Sequence, residues 1–267
     1  MTAFPTSTAT TTTASEPAVT SATPSASNPS TAPAPALIVR SAAERGTADF
    51  GWLKSAHTFS FGRYHDPRHM QHGALRVIND DEVAGGGGFP NHPHRDAEIF
   101  SYVLEGALEH RDSMGNGSVV EAGGIQYMSA GRGVMHSEFN PSQEKRMRFL
   151  QVWLLPSEPG GEPRYETLDL PAEEKRGRLR LFLSPDGRDG SIASRSTARV
   201  YAATLDGDDR VEHELASSGR GWVQVARGRL HVNGVALDTG DGVAIDGGGT
   251  LVLDQADDAE VLLFDSL

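Results

Sequence analysis

From Leu37 onward the chain is cut every few residues by Gly, Asp or Asn, and the segments between the cuts are short and rich in Val, Ile, Leu, Phe and Tyr. This punctuation leaves little room for an apolar period sustained over three helical turns. It is the pattern of strands joined by tight turns. Clear strand candidates are Ala74–Ile78, Ile99–Leu104, Arg148–Leu155, Gly221–Val225 and Val261–Phe264. An all-β fold follows.

Prolines and glycines gather between Pro156 and Asp169 and divide this β-rich chain into two parts. The parts echo one another. Glu105-Gly106-Ala107-Leu108-Glu109-His110 opens a hairpin expected to turn at Asn116-Gly117. Arg227-Gly228-Arg229-Leu230-His231-Val232 opens a shorter one expected to turn at Asn233-Gly234. Asn-Gly suits such turns because both central residues of a type I′ hairpin need positive φ. The expected organisation is an N-terminal domain over residues 37–157 and a related C-terminal domain over residues 158–267. Residues 1–36 are almost entirely Thr, Ala, Ser and Pro. With so little apolar side chain to offset the entropy of ordering, they read as a disordered tail.

Composition narrows the chemistry. The 267 residues include no cysteine, so disulfides, thiolate metal sites and Cys nucleophiles are excluded, and any metal must be held by His and carboxylates. A cysteine-free chain fits a reducing compartment, and a cytoplasmic location is expected. The net charge of -12 repels polyanions, and no dense basic run overrides it, so a nucleic-acid partner is not expected. No stretch approaches the roughly 20 apolar residues that span a bilayer, and no membrane partner is expected.

Two triplets carry the chemistry: His92-Pro93-His94 and His136-Ser137-Glu138. Residues i and i+2 of a strand point to the same face. Each triplet therefore presents two potential ligands side by side. A single His-x-His pair also occurs on surfaces and in turns, and Pro93 confines its strand to an edge, a bulge or a start. Two such pairs on strands facing one another would supply three imidazoles and a carboxylate. That set suits a borderline divalent ion with one or two coordination positions left open.

The segment Gly86–Glu98 fits the first cupin motif, with Gly106 one place late. Gly124, Gly133, His136 and Asn140 fit the second, with one extra residue before Gly133 and Ala130 where proline is common. The text His92-Pro-His-Arg95, Tyr102-Val-Leu-Glu-Gly106, Met128-Ser-Ala-Gly-Arg-Gly133 and His136-Ser-Glu138 resembles the pirin branch of the cupins. Gly51-Trp-Leu53, His57-Thr-Phe-Ser-Phe61, Leu75-Arg-Val-Ile-Asn-Asp80, Ser184-Pro-Asp186, Arg188-Asp-Gly190 and Val261-Leu-Leu-Phe-Asp265 are similar to bacterial pirin-like quercetinases. The resemblance runs from about Leu37 to the C-terminus.

It implies a bicupin of two jelly-roll barrels, with one metal held by His92, His94, His136 and Glu138. Glu98 occupies the place of the carboxylate ligand in many other cupins. The pirin pattern favours Glu138, which leaves Glu98 to orient an imidazole or to line the pocket. The resemblance further implies quercetin 2,3-dioxygenase activity on a flavonol and dioxygen, with Glu138 as the catalytic base for the flavonol 3-hydroxyl. Iron(II) is the first expectation, and nickel, manganese, copper, cobalt and zinc stay open. Two other readings stand beside it: a metal- and redox-sensing pirin-like module acting through protein partners, and a cupin enzyme on another small molecule. Of the remaining histidines, His65, His69 and His72 are expected in a solvated loop, and His57 as a packed residue and weak pocket candidate. His110 carries no signal. The C-terminal part has only His213 and His231, with no paired ligands, and no metal is expected there.

Overall fold

A computed structural model describes residues 35–216 and 219–265. The Thr/Ala/Ser/Pro-rich segment through residue 34 lies outside the described residues, and the first strand already begins at Ala36. The strands of the first half are β1 (Ala36–Arg40), β2 (Gly46–Asp49), β3 (Leu53–His57), β4 (Leu75–Val83), β5 (Gly88–His94) and β6 (Glu98–Glu105). They continue with β7 (Ala107–Asp112), β8 (Gly117–Glu121), β9 (Gly124–Ser129), β10 (Val134–Phe139), β11 (Met147–Leu154) and β12 (Arg164–Asp169). The second half adds β13 (Arg180–Ser184), β14 (Ile192–Ala193), β15 (Arg199–Gly207), β16 (Val211–Leu215), β17 (Arg220–Val232), β18 (Val235–Asp238), β19 (Gly242–Asp246) and β20 (Gly249–Asp265). The fold is all-β, a bicupin, and no helix among the described residues is long and apolar enough to cross a membrane.

The first barrel has two walls. One is a seven-stranded sheet in the order β12-β9-β6-β11-β4-β3-β2, and the other a four-stranded sheet in the order β5-β10-β7-β8. The second barrel is a nine-stranded sheet built on the long bent strands β17 and β20. The chain passes from one wall of the first barrel to the other at Gly106, whose φ of 73° is left-handed. Gly228 is its counterpart in the second barrel at φ 65°, and a Cβ there would lie 2.1 Å from the Asp258 carbonyl oxygen. Glycine is required at both corners, which accounts for the echo between the two halves.

The two hairpins differ. Asn233 and Gly234 both have positive φ, as a type I′ turn demands. Asn116 does not; Gly115 takes the left-handed position instead, within a longer loop. The Asp112 carboxylate organises that loop by accepting hydrogen bonds from the Met114 and Asn116 backbone N–H groups at 2.9 and 3.0 Å and from Asn116 Nδ2 at 2.8 Å. This side-chain cap outweighs the local Asn-Gly preference.

Neither barrel is continuous in sequence. Strand β1 pairs with β19 of the second barrel, whereas β12 crosses the Pro/Gly-rich break and pairs with β9 of the first. Between the barrels the even-numbered face of β6, with Phe100, Tyr102 and Leu104, packs against Phe182, Trp222, Leu262 and Phe264. The interior of the second barrel is filled by Leu, Val, Ile and Ala side chains. Each fully buried large aliphatic side chain contributes about 1.5–3 kcal/mol. Polar side chains are concentrated instead inside the first barrel.

Candidate metal centre

The four-stranded wall brings the two triplets together. Strand β5 is its edge, where the missing N–H groups of Pro90 and Pro93 are tolerated. It pairs with β10 so that His92 lies opposite His136, with a bulge before Glu138 meets Phe89. Strand β7 lies on the other side of β10, with Asp112 opposite His136 and His110 opposite Glu138. Cross-strand partners share a face, so His92, His94, His136, Glu138, His110 and Asp112 all lie on one side of this sheet. The sequence offered a third triplet of the same form, His110-Arg111-Asp112, which the expectation for His110 passed over.

The ligand atoms of His92, His94 and His136 lie within 4.8 Å of one another. His92 Nε2 and His136 Nε2 are 3.1 Å apart, while His94 Nε2 is buried with no hydrogen-bond partner. Metal–nitrogen bonds of about 2.0–2.1 Å place neighbouring ligand nitrogens about 2.9–3.4 Å apart, so the imidazoles fit a cation of this class. Burial, then the positive charge of neighbouring imidazoles, pushes His94 down to about 4 and His136 down to about 3. Both are neutral at pH 7 and keep a lone pair for a metal. A second set, His110, His136 and Glu138, also lies within 4.8 Å. His136 is common to both sets, and Glu138 lines the same cavity as His92 and His94.

Glu138 is buried and held by the opposite wall. Gln126 Nε2 donates to its Oε1 and Gln151 Nε2 to its Oε2, both at 3.0 Å. The Ser101 hydroxyl lies 3.1 Å from Oε1 and 2.6 Å from Gln151 Oε1. These groups belong to a polar row that crosses the seven-stranded sheet in register. His57 pairs with Asn79, Asn79 with Gln151, Gln151 with Ser101, and Ser101 with Gln126.

Glu98 stands elsewhere. It differs from Ser101 by an odd number of residues and so points from the opposite face of β6, between the barrels. There it accepts hydrogen bonds from Tyr127, from Ser129 at 2.6 Å, and from Ser194 Oγ and the Arg195 backbone N–H at 3.2 and 3.1 Å. It neither orients an imidazole nor lines the cavity; strand parity excludes both expected roles. His57 does line the cavity, with Nδ1 2.8 Å from Asn79 Oδ1. His65 is exposed in its loop, as expected. His72 is instead half-buried against Trp222, at 6.0 Å between ring centres, because the loop folds onto the second barrel. In the second barrel His213 pairs with Asp265 at 3.0 Å. The groups of three possible ligands found among the described residues lie in the first barrel.

A cavity of about 590 Å³ opens onto His92, His94 and Glu138. Its walls are largely aromatic. Trp52 meets Phe89 edge to face at 5.3 Å, and Trp153 meets both Phe61 and His94 edge to face at 5.5 and 4.8 Å. Asp81 also lines the cavity. It is 3% exposed, and its Oδ1 has no partner. Burial, reinforced by the Asp80 and Glu138 carboxylates and opposed by Ser55, pushes its carboxyl up to about 7.

Residues 39–154 match the Pirin family, and residues 181–266 match the quercetinase C-terminal cupin domain. A quercetin 2,3-dioxygenase of Escherichia coli is 47% identical over 229 residues, which cover 86% of this chain and 98% of that protein. A pirin-like protein of Caulobacter vibrioides is 40% identical over 222 residues, covering 83% and 95%. The crystal structure of the bacterial pirin YhhW from Escherichia coli in complex with nickel(II) superposes with a TM-score of 0.82 at 46% identity, covering 86% of this chain and 98% of that one. With two cupin barrels and relatives that match over nearly their whole length, the chain belongs to the pirin family.

Proposed function

We propose that this chain is a metal-dependent dioxygenase that opens the ring of quercetin-like flavonols and releases carbon monoxide. The observation that carries the reading is the aromatic-walled cavity ending on His92, His94 and Glu138. Relatives named quercetin 2,3-dioxygenase over nearly their whole length support it. In this reading His92, His94, His136 and Glu138 hold one divalent ion. Residues 37–157 supply the metal-binding barrel, and residues 158–267 supply a barrel without metal ligands, apart from the exchanged edge strands. Iron(II) is the proposed metal. Nickel is the one named with the Escherichia coli pirin.

The ion, when bound, supplies Lewis acidity and a path for electrons toward dioxygen. The chain supplies position, desolvation and proton transfer. Trp52, Phe61, Phe89 and Trp153 flank a planar aromatic substrate and exclude water. Gln126 and Gln151 fix the Glu138 carboxylate from both oxygens, leaving lone pairs on the cavity side to take the proton of the flavonol 3-hydroxyl.

The test strips the protein with a chelator, reloads it with each candidate metal, and follows flavonol loss and headspace carbon monoxide under air. Activity is expected only in reloaded protein. Glu138→Gln, at matched metal content, is expected to lose about 100-fold or more in turnover. Full activity of the stripped protein, or full turnover by E138Q, would overturn the assignment.

A further inference from the structure

Behind His136, on the side away from the cavity, lies His110. Its side chain and that of Asp112 have no exposed surface. His110 Nε2 is 3.2 Å from Asp112 Oδ2, and His110 Nδ1 is 3.4 Å from His136 Nδ1. The direction of each hydrogen bond follows from the donors available. Asp112 already accepts from the Met114 and Asn116 backbone N–H groups and from Asn116 Nδ2. Three N–H donors converging on its two oxygens suit the ionised carboxylate.

An ionised carboxylate only accepts, so the hydrogen of the Asp112–His110 bond sits on His110 Nε2. An imidazole with one N–H then has a bare lone pair at Nδ1. His136 Nδ1 must donate to it, which leaves His136 Nε2 bare, and that nitrogen is the one facing His92 Nε2. The reverse arrangement would place an N–H on His136 Nε2, aimed at the position a cation would take. The chain of groups is also held mechanically. Tyr165 of β12 stacks on the His110 ring at 4.2 Å and 12°, and the Asp112 side chain caps its own loop.

We propose that Asp112 and His110 are positioning residues that hold His136 as its Nδ1–H tautomer and so direct its Nε2 to the metal. This rests on the reading that His92, His94 and His136 hold the cation. It extends the carboxylate–histidine–metal arrangement by one imidazole.

The test uses the full chain with 15N-labelled histidine, metal-free and loaded with diamagnetic zinc. Two-bond proton–nitrogen correlation spectra report which ring nitrogen carries hydrogen. The expected result is Nδ1–H on His136 and Nε2–H on His110 in both forms; Nδ1–H on His110 overturns the proposal. Zinc affinity is then measured by competition with a chelator. His110→Phe keeps a ring against Tyr165 but removes the acceptor, and zinc should bind about 10–100-fold more weakly. His110→Asn restores an acceptor near the Nδ1 position and should stay within about threefold of wild type on the same scale. Equal affinity of H110F and wild type, or equal loss in H110F and H110N, overturns the proposal. Wild-type protein that takes up no zinc removes the metal reading instead, while the N–H assignment still decides the tautomer.

Discussion

Asp81 stores free energy that a single substitution should release. Its carboxyl faces the barrel interior from β4, nearly inaccessible to water, and is pushed up to about 7 by burial first and by Asp80 and Glu138 next. Raising a carboxyl from 3.8 to about 7 corresponds to about 4 kcal/mol in favour of the neutral form. Between these pH values the unfolded chain has released this proton while the folded chain retains it. The contribution of Asp81 to stability therefore falls as pH rises from about 4 to about 7, and is level above. Asp81→Asn keeps the neutral shape without the ionisation. In chelator-treated protein, the gain in unfolding free energy of D81N over wild type should be about 2–3 kcal/mol larger at pH 8 than at pH 5. Urea unfolding of both proteins at both pH values measures this, and the other titrating groups cancel in the difference. A difference that does not change with pH would refute the reasoning. Loading with a divalent metal should shrink the effect, because a nearby cation favours the ionised form.

Two further outcomes follow from the contacts between the barrels. Glu98→Ala leaves the buried hydroxyls of Tyr127, Ser129 and Ser194 without their acceptor, and should cost about 3–5 kcal/mol in denaturant unfolding; elemental analysis should show unchanged metal content per chain. Lys175, 5% exposed at the end of a single-turn helix, donates to Tyr102 and Glu260. Lys175→Ala leaves Glu260 with the Tyr102 hydroxyl at 2.6 Å and Arg227 at 3.4 Å, and the lost charge-assisted bond should lower stability by about 1.5–3 kcal/mol, read as a lower midpoint in the same assay.

The strand positions and the two ligand triplets were legible because both follow from local rules. Short runs of Val, Ile, Leu, Phe and Tyr between turn residues mark β4, β6, β11, β17 and β20, and His-x-His and His-x-Glu place their ligands on one face of a strand. What escaped depends on which strands become neighbours. His110-Arg111-Asp112 has the same spacing as the other triplets, but only the pairing of β7 with β10 gives it meaning. Glu98 fits a cupin motif by position, yet its parity with Phe100 and Tyr102 sends it to the opposite face. The polar row from His57 to Gln126 was invisible for the same reason. Its members are scattered between His57 and Gln151 and meet only through sheet register. At the first hairpin a local rule itself failed, since the Asp112 carboxylate overrode the Asn-Gly turn.

The exchange of β1 and β12 between the barrels makes each half hostage to the other. A chain severed after Ser157 would take Tyr165 away from His110 and strip the rim of β9, while the C-terminal piece would lose the strand that covers β19. Bare strand edges of this kind recruit other chains. Separate halves should therefore aggregate rather than persist as independent barrels. Two barrels that trade their borders in this way must fold, persist and be inherited as one piece.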